Sequence, residues 1–123
     1  TYPGIAGVET LFPLIYTYGV EKGKITLQQL VESLSINPAR IFGLYPQKGS
    51  LKEGSDADIL VYDPEKKRNL KAAELNSNSE HTAYQGMKVK GDTYLTILRG
   101  NILIKDGDLK AKKGYGKYIK AKV

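Results

Sequence analysis

Apolar side chains in the first third of the chain recur at intervals of three and four residues, which is the period of an α-helix. The first such stripe predicts a helix over residues 8–18 and consists of Leu11, Leu14, Ile15 and Tyr18. Pro13 falls within about the first turn of this helix, where a missing backbone N–H costs little. Gly19 and Gly23 mark the end of the helical region.

Two more helices are predicted before the middle of the chain. Thr26 has the character of an N-cap, with Gln29 as its capping-box partner. The apolar stripe that follows consists of Leu27, Leu30, Val31 and Leu34. Asn37 followed by Pro38 predicts an N-cap and the first residue of a short helix that stops near Gly43. Three short helices bury three stripes poorly, so we expect them to pack against a part of the protein outside this sequence.

After Tyr45 the pattern becomes that of β-strands separated by turns. The predicted strands cover residues 59–62, 88–90, 94–99 and 102–104. Residues 64–80 are polar and predicted to be irregular. The last two strands form a hairpin with a Gly100-Asn101 turn, closed by Asp106-Gly107. Three or four strands are too few to close a sheet and leave an exposed edge.

The net charge of +6 is concentrated at one end of the chain. Residues 110–123 contain no acid and six lysines, which are Lys110, Lys112, Lys113, Lys117, Lys120 and Lys122. Two tyrosines lie among them, so the tail could in principle bind phosphates or stack on bases. No arginine cluster or known nucleic-acid module accompanies it. We therefore predict a solvated or subunit-packing tail and no nucleic-acid partner.

Composition excludes several other classes of protein. The chain has 123 residues and no cysteine, so it contains neither a disulfide framework nor a thiolate site. No apolar run approaches the roughly 20 residues that a membrane helix needs. No secretory signal is visible. These features predict a cytoplasmic protein without membrane contact. Because the chain begins with Thr1 rather than Met, we expect it to be processed or part of a longer protein.

Several sequence elements together resemble the C-terminal part of a cyclic amidohydrolase. Three of them are general to such enzymes, namely GIAGVE at residues 4–9, NPAR at 37–40 and GSLKEGSDADILVYDP at 49–64. Two are more similar to the dihydropyrimidinase and D-hydantoinase group, namely HTAYQGMKVKGD at 81–92 and GYGKYIK at 114–120. Allantoinases and dihydroorotases remain alternatives, as does a non-catalytic scaffold relative. A free-standing binding domain is a further alternative, against which the unpaired apolar faces count.

This resemblance implies a fold and a division of the chain. It implies a mixed α and β fragment, in which residues 1–45 form the last helices of a metal-dependent (β/α)8 barrel. Residues 46–109 would form the C-terminal strands of a small β-sandwich, and residues 110–123 a basic tail. The tail would lie near a subunit contact of a homo-oligomer, a dimer or tetramer, in which Tyr115, Tyr118 and Ile119 take part.

The resemblance also implies a chemistry, the opening of a dihydropyrimidine or hydantoin ring to an N-carbamoyl amino acid. In the family two divalent ions, usually zinc, are held by histidines, a carboxylated lysine and an aspartate that precede the present segment. We therefore expect no metal ligand and no catalytic residue here. A substrate-binding asparagine of many hydantoinases aligns with Pro3. Pro3 and Gly4 could therefore offer the cyclic amide only backbone carbonyls, although a plain turn at Tyr2-Pro3-Gly4 is the simpler interpretation.

Four polar features are given a structural interpretation. One imidazole, His81, cannot assemble a two-metal site, and we expect it to pack at the junction between sandwich and tail. Asp56 and Asp58 project to one face as a strand begins, and we expect them to fix a turn and its register. Arg40 is expected to pair with a carboxylate or a carbonyl. Gly114-Tyr115-Gly116 lacks the spacing of a phosphate loop.

Overall fold

Two helical segments followed by a four-stranded sheet make up the part of the chain that this computed structural model describes, residues 5–122. Helix α1 (Val8–Ile15) continues into a π-helical turn at Tyr16–Val20. The predicted helix at residues 8–18 is thus confirmed. Pro13, however, is the sixth of the eight α-helical residues rather than part of the first turn.

The side of α1 that is buried in this chain is not the predicted apolar stripe. The buried residues of the segment are Thr10, Pro13, Tyr16 and Thr17. Leu11 and Tyr18, from the predicted stripe, are 48% and 38% exposed. This exposure agrees with the expectation that the apolar stripe is not buried within this chain.

The second helical segment is continuous where a break was predicted. Helix α2 (Leu27–Val31), a π-helical turn (Glu32–Ile36) and helix α3 (Asn37–Ile41) follow one another without a gap. Asn37 has the helical angles φ −66° and ψ −45°, and the preceding residue makes no side-chain capping bond. The predicted N-cap at Asn37 was therefore wrong, because the widened turn leads directly into Pro38 and leaves no helix end to cap. The predicted stop is confirmed at Gly43, which has φ +64°.

The sheet has the strand order β1-β2-β3-β4. Its strands are β1 (Ile59–Asn69), β2 (Lys88–Leu98), β3 (Asn101–Lys105) and β4 (Asp108–Leu109). Strand β1 runs through Pro64, so the irregular structure predicted from residue 64 begins only after Asn69. Proline is tolerated there because β1 lies at an edge of the sheet.

The β2–β3 hairpin differs from its prediction in two details. Strand β2 is continuous from Lys88 to Leu98, so Gly91 and Asp92 do not separate two strands. Gly91 lies within the strand with φ +79°. The turn residues are Arg99 and Gly100, with φ +46° and +78°, and Leu98 pairs with Asn101. Positive φ at both central residues is the type I′ geometry that matches strand twist. The second predicted turn, at Asp106 and Gly107, is confirmed.

The described residues pack as two compact units. The first unit comprises residues up to Thr26 together with Asp63–Asp92, and the second comprises Leu27–Tyr62 together with residues from Thr93 onward. The first unit buries Thr10, Pro13, Tyr16, Leu70 and Val89. The second buries Leu30 and Ala39 but leaves Leu51 80% and Ile41 67% exposed. The predicted division at residues 45 and 109 stays a prediction.

The helices described within residues 5–122 are all too short or too polar to cross a membrane.

Candidate functional site

The most concentrated group of charges in the second unit surrounds the start of β1. The Lys48 ammonium lies 2.8 Å from Asp56 Oδ2 and also forms an ion pair with Asp58. The backbone brings these groups together, because the Asp56 N–H donates to the Gln47 carbonyl at 2.9 Å. The two aspartates, two residues apart, thus approach the same cation, which agrees with the shared face that their spacing predicted.

Asp58 also binds the backbone of the β2–β3 turn. Its Oδ1 accepts the backbone N–H of Arg99 at 2.8 Å, and the Gly100 N–H donates to the Ala57 carbonyl at 3.0 Å. Arg99 is in the left-handed region, which costs a residue with a side chain about 1 kcal/mol or more. The carboxylate stabilises this conformation by satisfying the amide. Asp58 thus binds the backbone of a turn, but that turn belongs to the β2–β3 hairpin and not to the Gly54-Ser55 segment that precedes Asp58; the predicted role in strand register stays a prediction.

The Arg99 side chain extends the cluster to the tail. Its Nη2 donates to the Tyr115 carbonyl at 2.6 Å, and its guanidinium carbon lies 4.6 Å from the Tyr115 ring centroid. The Tyr115 hydroxyl donates to the Leu98 carbonyl at 3.2 Å and accepts from Asn101 Nδ2 at 2.5 Å. We call this set, Lys48, Asp56, Asp58, Arg99, Asn101 and Tyr115, the turn cluster.

The protonation states of the turn cluster favour stable ion pairs over proton transfer. Burial alone would lower the pKa of Lys48, but its hydrogen bonds to Asp56 and Asp58 outweigh this and raise the pKa. The hydrogen bond from Lys48 lowers the pKa of Asp56, against the opposing effect of burial. A lysine that stays protonated is a poor nucleophile, and a carboxylate that stays ionised is a poor general acid.

A second polar network joins α1 to β2 within the first unit. The buried Thr17 hydroxyl donates to the Pro13 carbonyl at 2.7 Å and accepts the Lys90 N–H at 3.0 Å. The Lys90 ammonium binds Glu21 Oε2 at 2.9 Å, and the Tyr16 hydroxyl donates to Glu21 Oε1 at 3.1 Å. We call Tyr16, Thr17, Glu21 and Lys90 the helix–strand network.

The pKa shifts of Glu21 and Lys90 stabilise the charged forms of an ion pair, as those of Lys48 and Asp56 do in the turn cluster. The hydrogen bond from Lys90 lowers the pKa of Glu21, and the same bond raises the pKa of Lys90. Burial, followed by the hydrogen bond to Glu21, raises the pKa of Tyr16. Each of these shifts moves the pKa away from 7, the region in which a general acid or base is most effective.

Glu9 joins the start of α1 to a distant loop of the same unit. Its Oε2 accepts the backbone N–H of Asn76 at 2.7 Å, and its Oε1 accepts from Asn76 Nδ2 at 3.4 Å. The motif at residues 4–9 therefore contains a carboxylate that orders a loop.

The sequence-predicted site residues are distributed as follows. Pro3 and Gly4, the predicted substrate contacts, lie outside the described residues, so that prediction stays open. His81 is half-buried, and its Nδ1 lies 3.2 Å from Ser79 Oγ. Among residues 5–122, no three His, Cys, Asp or Glu side chains are grouped so that they could hold a metal ion.

Two other predicted contacts can be located. Arg40, predicted to pair with a carboxylate or a carbonyl, instead places its guanidinium carbon 5.2 Å from the Tyr45 ring centroid. Tyr115 uses its side chain within its own chain, whereas Tyr118 is 90% exposed. Sequence reasoning missed Lys48, Arg99 and Thr17. The one available signal was the Arg-Gly pair between two apolar runs, where an I′ turn demands positive φ.

Comparison with known proteins decides the family. The model of the amidohydrolase family matches residues 4–103. The chain belongs to the amidohydrolase family. It is 38% identical over 116 residues to the L-hydantoinase of Paenarthrobacter aurescens, covering 94% of this chain and 25% of the relative. It is 37% identical over 117 residues to the D-hydantoinase of Ralstonia pickettii, covering 95% and 25%.

Solved structures agree with this membership. A structure of D-hydantoinase matches with a TM-score of 0.93 at 36% identity, covering 98% of this chain and 26% of the other. The L-hydantoinase (dihydropyrimidinase) from Arthrobacter aurescens matches with a TM-score of 0.89 at 38% identity, covering 93% and 25%. This amidohydrolase chain thus spans about a quarter of the length of the relatives it matches. Its resemblance to the hydantoinase and dihydropyrimidinase group is confirmed.

Proposed function

We propose that this chain is the C-terminal part of a metal-dependent hydrolase that opens cyclic amides, with a dihydropyrimidine or hydantoin ring as substrate. The product would be an N-carbamoyl amino acid. The observation that carries the proposal is the match of nearly the whole chain to hydantoinases at 36–38% identity. The match to the amidohydrolase family model includes the three general elements and the element at residues 81–92.

The two stereochemical classes among the relatives sharpen this proposal. The L-hydantoinase and the D-hydantoinase are 38% and 37% identical to this chain. A segment that selected the substrate enantiomer would favour one class over the other. We therefore assign selection of the ring and its enantiomer to the three quarters of the relatives' length that this chain does not cover.

The described residues do not fit the zinc ions that the family implies. A two-metal site needs several ligands that converge from different elements. Within residues 5–122 no three potential ligand side chains come together. Lys48, Asp56 and Asp58 are held in ion pairs with one another. We propose that the ligands lie in the part of the protein that precedes this chain and that residues 5–122 shape and stabilise the fold around them.

The proposal extends to the architecture and the assembly of the whole protein. Its helices would be the last of a (β/α)8 barrel, and its strands would complete a small β-sandwich. The helices leave apolar side chains exposed, notably Val8 at 97% and Ile41 at 67% exposure. This exposure supports packing of the helices against another part of the whole protein. The whole protein would be a cytoplasmic homo-oligomer, in which Tyr118 rather than Tyr115 is available to a neighbouring subunit.

The test is a substrate panel with the whole protein that contains this chain. Dihydrouracil, hydantoin, allantoin and dihydroorotate are supplied separately, and the formation of N-carbamoyl product is measured by a colorimetric assay. We expect turnover of dihydrouracil or hydantoin, loss of turnover with a chelator, and recovery with added zinc. Turnover confined to allantoin or dihydroorotate would reassign the substrate. A folded protein that hydrolyses none of the four would be a scaffold relative and would refute the proposed function.

A further inference from the structure

The basic tail is fixed to the second unit at two separate points. At the first point, the Tyr115 carbonyl accepts a hydrogen bond from Arg99 Nη2, and the Tyr115 ring lies against the same guanidinium. The Tyr115 hydroxyl donates to the Leu98 carbonyl and accepts from Asn101 Nδ2. All of these contacts are made to the β2–β3 hairpin. They combine a charge-assisted bond with an aromatic contact, each of which is stronger than a bond between neutral exposed groups.

The second point lies at the end of the tail. The Lys122 N–H donates to the Phe42 carbonyl at 3.0 Å. Gly43 lies so close to this strand of the tail that a Cβ at its position would be 2.1 Å from the Lys122 carbonyl oxygen. Residue 43 must therefore be glycine for this contact to form, because any side chain there would displace the tail.

Between these points the tail is largely exposed. Tyr118 is 90% exposed, and Lys117 and Lys120 are exposed on either side of it. Tyr115 and Tyr118 thus have opposite environments although they are three residues apart. One is half-buried against a cation and two hydrogen-bonding groups, and the other projects from the surface.

We propose that residues 115–122 form a releasable strap, latched at Tyr115, that holds Tyr118 in a fixed exposed position. The contacts of Tyr115 depend in turn on a contact of Asp58 with the β2–β3 turn. Asp58 holds the Arg99 backbone in its left-handed turn, and that turn aims the guanidinium at the Tyr115 carbonyl. Asp58 is thereby a positioning residue for a tail that is 57 residues further along the chain. This inference does not depend on the proposed function.

Amide hydrogen exchange of the whole protein, followed by mass spectrometry of the tail peptides, tests the strap. Exchange of a protected amide reports the population in which its segment is open. We expect Tyr115→Phe, which removes the hydroxyl bonds, to accelerate exchange of the Lys122 amide, which donates to the Phe42 carbonyl, by roughly three- to tenfold. Tyr115→Ala and Arg99→Ala should accelerate it further. Tyr118→Ala is the matched control and should leave exchange in peptides that exclude residue 118 within about twofold.

Asp58→Ala supplies the second test, because it removes the acceptor of the Arg99 N–H and leaves Tyr115 in place. If Asp58 positions Arg99, this variant accelerates tail exchange while Tyr115 is unchanged. Exchange in peptides from the first unit reports whether each variant is folded, so that general unfolding is recognised. The proposal is overturned if Tyr118→Ala opens the tail as much as Tyr115→Ala does. It is also overturned if the unaltered tail shows no protection, or if tail exchange does not respond to Tyr115→Phe and Tyr115→Ala.

Discussion

The turn cluster and the helix–strand network both join distant parts of the chain, but they do so with different chemistry. In the helix–strand network the buried link is neutral, since the Thr17 hydroxyl satisfies backbone groups of α1 and β2, and the ion pair of Lys90 and Glu21 lies at its rim. In the turn cluster the charges themselves bind the backbone, as Asp58 does at Arg99. A neutral buried link holds two elements together, whereas a charged link can hold a backbone in an unfavourable conformation.

The two sets share one electrostatic property. In both sets the carboxylates are paired with cations and the pKa shifts reinforce the charged forms. Catalytic acids and bases need the opposite arrangement, in which burial or a like charge moves a pKa toward the working pH. The contacts of both networks are those of residues that stabilise the fold.

The largest expected effect comes from the tight turn that carries Lys48. Gly49 has φ +73°, and a Cβ there would lie 2.8 Å from the Ala39 Cβ and 3.0 Å from the Ser35 carbonyl oxygen. Gly49→Ala should lower the free energy of unfolding by about 2–4 kcal/mol, from backbone strain and steric overlap together. Gly54→Ala is the matched control, because Gly54 has φ +87° with no atom within 4 Å of the added Cβ.

The control should lose only the strain, about 1 kcal/mol. Denaturant unfolding of both variants in the whole protein measures the difference. Equal losses would show that the close approach of Gly49 to α3 and to the π-helical turn before it does not contribute to stability.

The next effect tests the neutral link of the first unit. Thr17→Val keeps the shape of the side chain but leaves the part-buried Lys90 N–H without its acceptor, which should cost about 1–3 kcal/mol in unfolding free energy. Ser33→Ala removes an exposed hydroxyl and should stay within about 0.5 kcal/mol. If thermal unfolding finds the two variants alike, the helix–strand network does not hold α1 to β2.

The pH dependence compares the two networks directly. Glu21 and Asp56 both have a pKa below their ordinary values of 4.5 and 3.8, so the unfolded chain binds more protons than the folded one in acid. Their contribution is present above these ordinary values and is lost as the pH falls through the lowered ones. We expect the melting temperature to fall between about pH 5 and pH 3, and Glu21→Gln and Asp56→Asn each to flatten that fall. Unchanged slopes in both variants would contradict the assignment.

The smallest effect is expected for the exposed ion pairs. Lys110 and Asp108 are 3.2 Å apart with side chains 52% and 76% exposed, and Lys71 and Glu74 are 2.8 Å apart with 55% and 48% exposed. Lys110→Ala and Lys71→Ala should each change the unfolding free energy by less than about 0.5 kcal/mol. A loss above about 1 kcal/mol in a chemical melt would mean that these surface pairs belong to the stabilising networks after all.

The sequence predicted the elements better than their ends. Apolar spacing located α1 and the hairpin, because those patterns report the repeat of the backbone itself. It failed at Asn37 and Pro38, where a widened helical turn replaces a cap, and at Pro64, where an edge strand tolerates proline. Both failures arise from neighbouring structure that local sequence does not encode.

The turn cluster shows the same limit at the level of the site. The spacing of Asp56 and Asp58 predicted a shared face and a role in a turn. It could not predict Lys48 or Arg99 as their partners, because those contacts join residues that are 8 to 41 positions apart. The family resemblance supplied what spacing could not, namely the relation to hydantoinases, which the comparisons confirm.

The most direct test of the central claim is the bound metal of the whole protein when both aspartates of the turn cluster are replaced. The account holds that Asp56 and Asp58 support the fold and that the metal ligands lie outside this chain. The double variant Asp56→Asn, Asp58→Asn, kept at a temperature where it is folded, should retain the divalent metal content of the unaltered protein. Loss of that metal from a protein whose circular dichroism is unchanged would contradict the account.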